Sequence, residues 1–546
     1  MTDDFPVPPR ARSILLGFAP APPLWPNAVR ASTAFLLPAL LATLLGHPRE
    51  AVLCSIGALA VLYGEHRAYR IRWLVVAAVG AGMAGGFAAT MAASSGAGGA
   101  YWAVIPAIGV IAAIATYAMN ALRMGPPGPV FVALAASVGS LAPHSGLSVL
   151  EASSWVLLGV AGALLATMAP ILVDPYGPAR RAVDAAERAV EAMASASTPS
   201  RSAHHVAGAA IHLGWATLHE AGLAQGHGQG SAAGRLRAAH TRFLRVVAQR
   251  QEQRQDQDGT DDALREVLPQ GIVPLGRPLA WHRLKGAWHP DSPPMITACR
   301  VLLATIVAAS IGAMLGLEHP EWAMVAATLV LGGAPDRVLG AYRGAQRFLG
   351  TVAGIVLFML IAAAGPRGLA LIVVLALLLF AVELAVPRNY AIAATFITPL
   401  ALLLSTAMNP PSSMLATSAY RLAETALGVG LALITLWAWS RRADRRMQTR
   451  AEQSLLDRVR ALLDEPDPAM ARALRRDTQF DLIGAVLAAD ATAHGDQAWA
   501  REQWATHVAI IELGYRVLAT VNSAPPGLRA TFLSEVRELE AALSQR

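Results

Sequence analysis

The chain is expected to be an all-α polytopic membrane protein: two parallel six-helix transmembrane repeats, each followed by a cytoplasmic helical domain. Three observations predict this. The first is composition: of 546 residues, 54% are apolar and 15% charged, with a mean hydropathy of +0.43, whereas a soluble domain carries about 25% charged residues. The second is segregation, because charge gathers in residues 176–290 and 441–546 and at the ends of apolar runs. The third is a recurring pattern. Gly46-His47-Pro48-Arg49-Glu50 closes one apolar run and opens another, and Leu317-Glu318-His319-Pro320-Glu321 does the same 272 residues later. The same shift aligns Gly82 with Gly354, and Asn120 and Gly159 lie 39 residues apart, as do Asn389 and Gly428. Recurrence at this scale points to a duplicated membrane unit.

A spanning helix needs about 20 mostly apolar residues. In the first half, runs of that kind predict helices near 28–46, 50–64, 71–95, 101–121, 129–143 and 150–173. In the second half they fall near 296–316, 320–334, 344–364, 367–385, 389–407 and 413–438. The short runs 50–64 and 320–334 suit tilted, re-entrant or internally packed segments. The chain then divides into an N-terminal segment (1–27), a first membrane unit (28–175), a helical domain (176–294), a second membrane unit (295–440) and a C-terminal helical domain (441–546).

In the first helical domain, Arg180 to Met193 is amphipathic and Ser200 starts a helix running to about Ala224. Gly226-His227-Gly228-Gln229-Gly230 breaks the chain before a further helix from Ala232 to about Gln253. In the second, Trp504, Val508, Ile511, Tyr515 and Leu518 recur at helical spacing and mark a buried stripe. Glycine-bearing faces (Gly80, Gly82, Gly85 and Gly86; Gly350 and Gly354; Gly159 and Gly162; Gly428 and Gly430) are read as helix-packing surfaces.

Basic residues set the orientation. Arg67, Arg70, Arg72, Arg123, Arg180 and Arg181 fall on one set of connections in the first half. Arg337, Arg343, Arg347, Arg388, Arg441, Arg442, Arg445 and Arg446 fall on the same set in the second. The alternate loops, Ser94-Ser95-Gly96-Ala97-Gly98-Gly99, Pro143-His144-Ser145-Gly146 and Met408-Asn409-Pro410-Pro411, are poor in positive charge, with Arg49 and Arg367 as exceptions. The positive-inside rule places both termini and both helical domains in the cytoplasm.

Several chemistries are disfavoured. Cys54 and Cys299 make neither a disulfide framework nor a zinc cluster. The N-terminus, with Asp3 and Asp4, lacks the order of a cleaved signal peptide. The pI near 9.8 reflects basic residues at membrane boundaries rather than one basic domain, so no nucleic-acid partner is expected. His205, His212 and His219 stand seven residues apart, about 10.5 Å of helical rise, too far for one metal ion. The glycines of 226–234 are followed by no Gly-Lys-Ser/Thr, so no phosphate loop, ATPase or cofactor site is expected. No convergent nucleophile, base or metal set suggests an enzyme.

The informative charges are intramembrane. Arg421 and Glu424 are one turn apart in an apolar run, where a charge costs about 2.5–3.5 kcal/mol on insertion scales. Either they offset each other as a structural pair, or Arg421 meets an anionic substrate while Glu424 carries a proton. The corresponding positions of the first unit are Ala152 and Trp155, so the chemistry is not duplicated. Glu383 is a second candidate proton carrier, nearer the cytoplasmic end. Arg30, Arg300, Arg343 and Arg347 sit near cytoplasmic helix starts, as interfacial anchors or as the rim of an anion vestibule that concentrates carboxylates.

Three segments of the second unit carry a family resemblance. Arg343-Gly344-Ala345-Gln346-Arg347-Phe348-Leu349-Gly350-Thr351-Val352-Ala353-Gly354 resembles the arginine-Leu-Gly-Thr-small-Gly signature of the fusaric acid resistance family, related to the aromatic acid exporters. Arg388-Asn389-Tyr390-Ala391, leading to Phe396-Ile397-Thr398-Pro399, resembles that family's next segment, and Arg421 to Gly428 its final helix. The first unit matches poorly: Arg70-Ile71-Arg72 precedes its glycines without the Leu-Gly-Thr step. The resemblance implies a bacterial inner-membrane exporter of aromatic or other weak organic acids, coupled to protons. Its pathway would draw on Arg421, Glu424, Arg347, Arg343, Asn389, Tyr390, Thr398, Arg300 and Arg30. Some members work with a periplasmic adaptor and others alone, and a homo-oligomer is compatible with the pattern. A passive organic-anion channel and an envelope scaffold or sensor acting through the helical domains are the rival expectations.

Overall fold

The computed structural model describes residues 5–15, 17–18, 25–96, 101–196, 201–226, 228, 230–252, 276–333, 336–408, 413–438, 441–520 and 526–546. The loop residues Ala97 to Gly99 and Asn409 to Pro411, the expected helix start at Ser200, and His227 and Gln229 of the glycine break lie outside them. Every regular element among the described residues is helical.

A short α1 (Ala11–Leu15) precedes the first group: α2 (Trp25–Leu44), α3 (Cys54–Ala58, flanked by 3-10 turns over Glu50–Leu53 and Leu59–Leu62), α4 (Tyr69–Gly96), α5 (Tyr101–Ala121), α6 (Val130–Leu141) and α7 (Val149–Met168). Polar helices α8 (Gly177–Ser195), α9 (Arg201–Ala221) and α10 (Ala232–Glu252) follow, then α11 (Ala280–Gly286). The second group is α12 (Pro293–Met314), α13 (Glu321–Leu331), α14 (Arg337–Ala364), α15 (Leu369–Ala385), α16 (Tyr390–Met408) and α17 (Met414–Ala438). The chain closes with α18 (Arg441–Asp464), α19 (Pro468–Gly495), α20 (Gln497–Thr520) and α21 (Pro526–Ser544).

Eight of these helices are long and apolar enough to cross a membrane: α2, α4, α5, α7, α12, α14, α16 and α17. The four others, 50–62, α6, α13 and α15, are shorter. The twelve expected apolar segments are present, and those near 50–64 and 320–334 are short as expected, but 129–143 and 367–385 also fall short of the candidate spans. Residues 129–143, read as a span, form a 12-residue helix, about 18 Å long against a hydrocarbon core of about 30 Å. The reason is position. From Val130 to Leu141 every residue except Leu134 is buried, and from Glu321 to Leu331 every residue except Leu329, so protein rather than lipid surrounds these segments.

The contacts form matching sets. In the first group α4 packs on α6, and α7 packs on α2, α3 and α4. In the second, α14 packs on α16, and α17 packs on α12, α13 and α14. Between groups, α5 lies on α12 and α2 on α15. Bare backbone permits the closest crossings. A Cβ on Gly159 would collide with the Cys54 carbonyl, and one on Gly428 with the Ala323 carbonyl. Gly354 faces Thr398, whose Cβ would lie 2.6 Å from an added Cβ, but Gly82, Gly85 and Gly430 meet nothing within 4 Å and are not packing positions.

The polar helices build their own cores. Val183, Val190, Ile211, Trp215 and Leu236 join α8–α10; Leu455, Val459, Ile511, Val517 and Phe532 join α18–α21. His212, from the seven-residue histidine row, is half-buried, and desolvation of its ring pushes its pKa down to about 4, with Arg277 adding to the shift. It is a neutral core histidine at neutral pH.

Candidate functional site

A cavity of about 1220 Å³ lies between the two helix groups and reaches the polar helices. Six residues singled out from the sequence line it: Arg30 on α2, Arg343 and Arg347 on α14, Glu383 on α15, Tyr390 on α16 and Arg421 on α17. Residues up to 391 positions apart thus face one space because α2 packs on α15, and α14 on both α16 and α17.

Arg421 is 2% exposed and stacks on the Trp322 ring, its guanidinium carbon 4.0 Å from the centroid. It makes no ion pair with Glu424. Instead, the Glu424 carboxylate accepts the backbone N–H of His319 at 3.0 Å, and the His319 ring stands 3.2 Å from Glu321. The Tyr101 hydroxyl donates to the Glu318 carbonyl at 2.9 Å. Glu424 therefore fastens the turn that opens α13, and it does not line the cavity. Of the two sequence readings of Arg421 and Glu424, the structural pair is not formed.

Arg347, 1% exposed, lies beside the Tyr390 hydroxyl. Its Nε and Nη1, like those of Arg421, have no hydrogen-bond partner among the described residues. Glu383 shares its end of the cavity with Glu65 and Arg30, and Arg30 Nε is likewise without a partner.

Besides Glu424, three further expected pathway residues are not on the cavity. Arg300 is buried in an ion pair with Asp444 of α18 at 3.2 Å, which Arg337 also grips at 2.6 Å; it ties the second helix group to the C-terminal helices rather than forming a rim. Asn389 donates to the carbonyls of Leu15 (3.1 Å) and Gly17 (3.0 Å) and accepts from Ala391 N–H, so it caps α16 and holds the N-terminal segment. Thr398 donates to the Ala394 carbonyl at 2.9 Å and fills the space against Gly354.

The cationic mouth is built from other residues. Arg67, Arg123, Arg277 and Arg283 line it, with Arg67 and Arg277 sharing Glu220 at 2.8 and 3.6 Å. Burial pushes Arg277 and Arg283 down to about 10, and the neighbouring Arg67 charge adds to both shifts. They remain cations at neutral pH. Arg283 donates to the Leu122 carbonyl, and Arg123 donates to the Phe480 carbonyl while lying 3.6 Å over the Phe480 ring. Sequence reading missed Arg277 and Arg283 because they stand in a polar linker with no apolar contrast. It missed Trp322 although that residue directly follows the recurring His-Pro turn.

Among the described residues no cluster of three His, Cys, Asp or Glu side chains could hold a metal ion. An uncharacterized membrane protein of Bacillus subtilis (strain 168), YvaC, is 23% identical over 589 positions, covering 95% of this chain and 89% of its own. No solved structure matches the chain. A family model described as fusaric acid resistance protein-like matches residues 306–435, the stretch from α12 to α17 that supplies Arg343, Arg347, Tyr390, Trp322 and Arg421. Over that stretch, the second helix group of this multi-pass membrane protein is thus similar to the fusaric acid resistance protein-like family.

Proposed function

We propose that the protein is an inner-membrane efflux transporter for weak organic acids, with both termini and both polar helical regions in the cytoplasm. The observation that carries this reading is the pair of buried guanidinium groups, Arg347 and Arg421, which line the cavity and, among the described residues, make no ion pair with a carboxylate. A buried cation normally has a partner, because removing it from water costs several kcal/mol. A carboxylate ligand fills that role, and Trp322 offers an aromatic face beside it. The matching contact sets support reading the two six-helix groups as a duplicated unit related by an axis along the membrane normal.

The mouth arginines raise the local anion concentration. The proton-coupling step falls to Glu383, which faces the cavity with Arg30 and Glu65 nearby, while Glu424 is occupied by the His319 N–H. Uptake of a radiolabelled aromatic acid into inside-out vesicles, with and without an imposed proton gradient, tests the reading. Gradient-driven accumulation is the expected result; flux that only equilibrates makes the protein a channel, and absence of flux overturns transport of this class. Glu383→Gln is expected to flatten the pH dependence and Glu424→Gln to retain it.

A further inference from the structure

The number of free guanidinium faces in the cavity restricts what can satisfy them. Arg347 and Arg421 are 1% and 2% exposed, and Nε and Nη1 of both lack a hydrogen-bond partner among the described residues. The two charges lie close enough to repel. The carboxylates nearest Arg421 are engaged elsewhere: Glu424 accepts the His319 N–H at 3.0 Å, and Glu321 lies 3.2 Å from the His319 ring. Arg347 has the Tyr390 hydroxyl beside it.

One carboxylate offers two oxygens and saturates a single guanidinium fork. A monoacid bound at Arg421 would leave Arg347 buried and unpaired, at the cost that applies to any uncompensated buried charge. The cavity wall near these arginines is apolar, with Trp322, Val325, Leu329 and Ile397 on it. We propose that this site is selective for a dicarboxylate on a rigid apolar body, one carboxylate on Arg421 against Trp322 and the other on Arg347 with Tyr390. The inference rests on the organic-acid reading above and goes further in assigning two anionic groups to the ligand.

The test is equilibrium binding of three acids of one shape class to the purified full-length protein in detergent: benzoate, monomethyl isophthalate and isophthalate. Isophthalate is expected to bind about ten-fold tighter or more than either monoanion, the scale of one additional charge-assisted hydrogen-bonded contact. Arg347→Gln is expected to reduce isophthalate to the level of benzoate while leaving benzoate within about two-fold. Arg347→Lys keeps the charge but loses the fork, and is expected to fall between. Size-exclusion profiles and melting temperatures identify a variant that fails to fold, and the three-acid series on the wild type decides the question without any variant. Binding of all three acids within two-fold overturns the dicarboxylate assignment and leaves the organic-acid reading standing. Equal weakening of benzoate and isophthalate in a folded Arg347→Gln protein does the same. No binding of any of the three overturns both.

Discussion

The two helix groups solve the same crossing in two ways. In the first, the His47 turn meets α7 through a ring contact: His47 and Trp155 stand 5.2 Å apart, with Ala152 one turn away, and Gly159 seats the helix on the Cys54 carbonyl. In the second, the His319 turn meets α17 through a charge: the His319 N–H donates to Glu424, Arg421 replaces the alanine, and Gly428 seats the helix on the Ala323 carbonyl. The backbone approach is shared, while the side chains differ. Where the first crossing is sealed by an aromatic ring, the second leaves a cation facing the cavity. The comparison teaches that the backbone geometry is shared by both crossings, while the charged residues Arg421 and Glu424 stand at the second crossing alone.

The strongest challenge to this comparison is to fill both crossings. Gly159→Val and Gly428→Val are each expected to destabilise by about 3 kcal/mol, since the new side chain meets backbone that cannot yield. Equal loss of folded, monodisperse protein supports a shared geometry, and loss in only one breaks it. Next in size, Arg421→Gln should lower transport by about 10- to 100-fold, the worth of a charge-assisted hydrogen bond, while Ala152→Ser leaves transport unchanged. Vesicle uptake at equal expression checks both.

A smaller effect separates anchor from carrier. Glu424→Ala strands the His319 N–H and should cost about 1–3 kcal/mol in melting experiments, whereas Glu424→Gln, which keeps an acceptor oxygen, costs less. Trp155→Phe retains a ring beside His47 and should shift stability by under about 1 kcal/mol.

The smallest expected effect is a pH dependence on the side of the second group. His494 of α19 hydrogen-bonds Asp336, the N-cap of α14, at 2.5 Å; that bond holds its pKa above the usual histidine value, with Asp490 contributing. A group whose folded pKa is raised stabilises fully below its unfolded value, about 6.5. That contribution is lost as pH rises through the folded value. Protection from hydrogen exchange around residues 490–496, corrected for the intrinsic pH dependence of amide exchange, should therefore fall as pH rises above about 6.5, and His494→Gln should remove that fall. An unchanged pH profile in the variant would show that the contact does not depend on that proton.

Much of the fold was legible in the sequence because apolar runs report directly on helices hidden from water. The expected segments near 71–95, 101–121 and 413–438 appear as Tyr69–Gly96, Tyr101–Ala121 and Met414–Ala438. The family signature was legible too, since Arg343 to Gly354 and Arg421 to Gly428 are local strings that fall within the matched stretch. Partnership was not. Arg300 and Arg421 look alike in sequence, each a lone cation in an apolar helix, yet Arg300 meets Asp444 and Arg421 meets a ring and a cavity.

By itself, then, the sequence determined an all-helical membrane chain, the places of its helices and the residues with unusual charge, because hydropathy and helical period are properties of a chain read along its length. Only the tertiary structure decided which short helices are enclosed by protein, that Glu424 holds a turn rather than a guanidinium, and that Arg30, Arg347, Glu383 and Arg421 share one cavity. Those outcomes depend on which helix faces meet across hundreds of residues. A charge becomes a site or a strut according to what stands a few ångströms away.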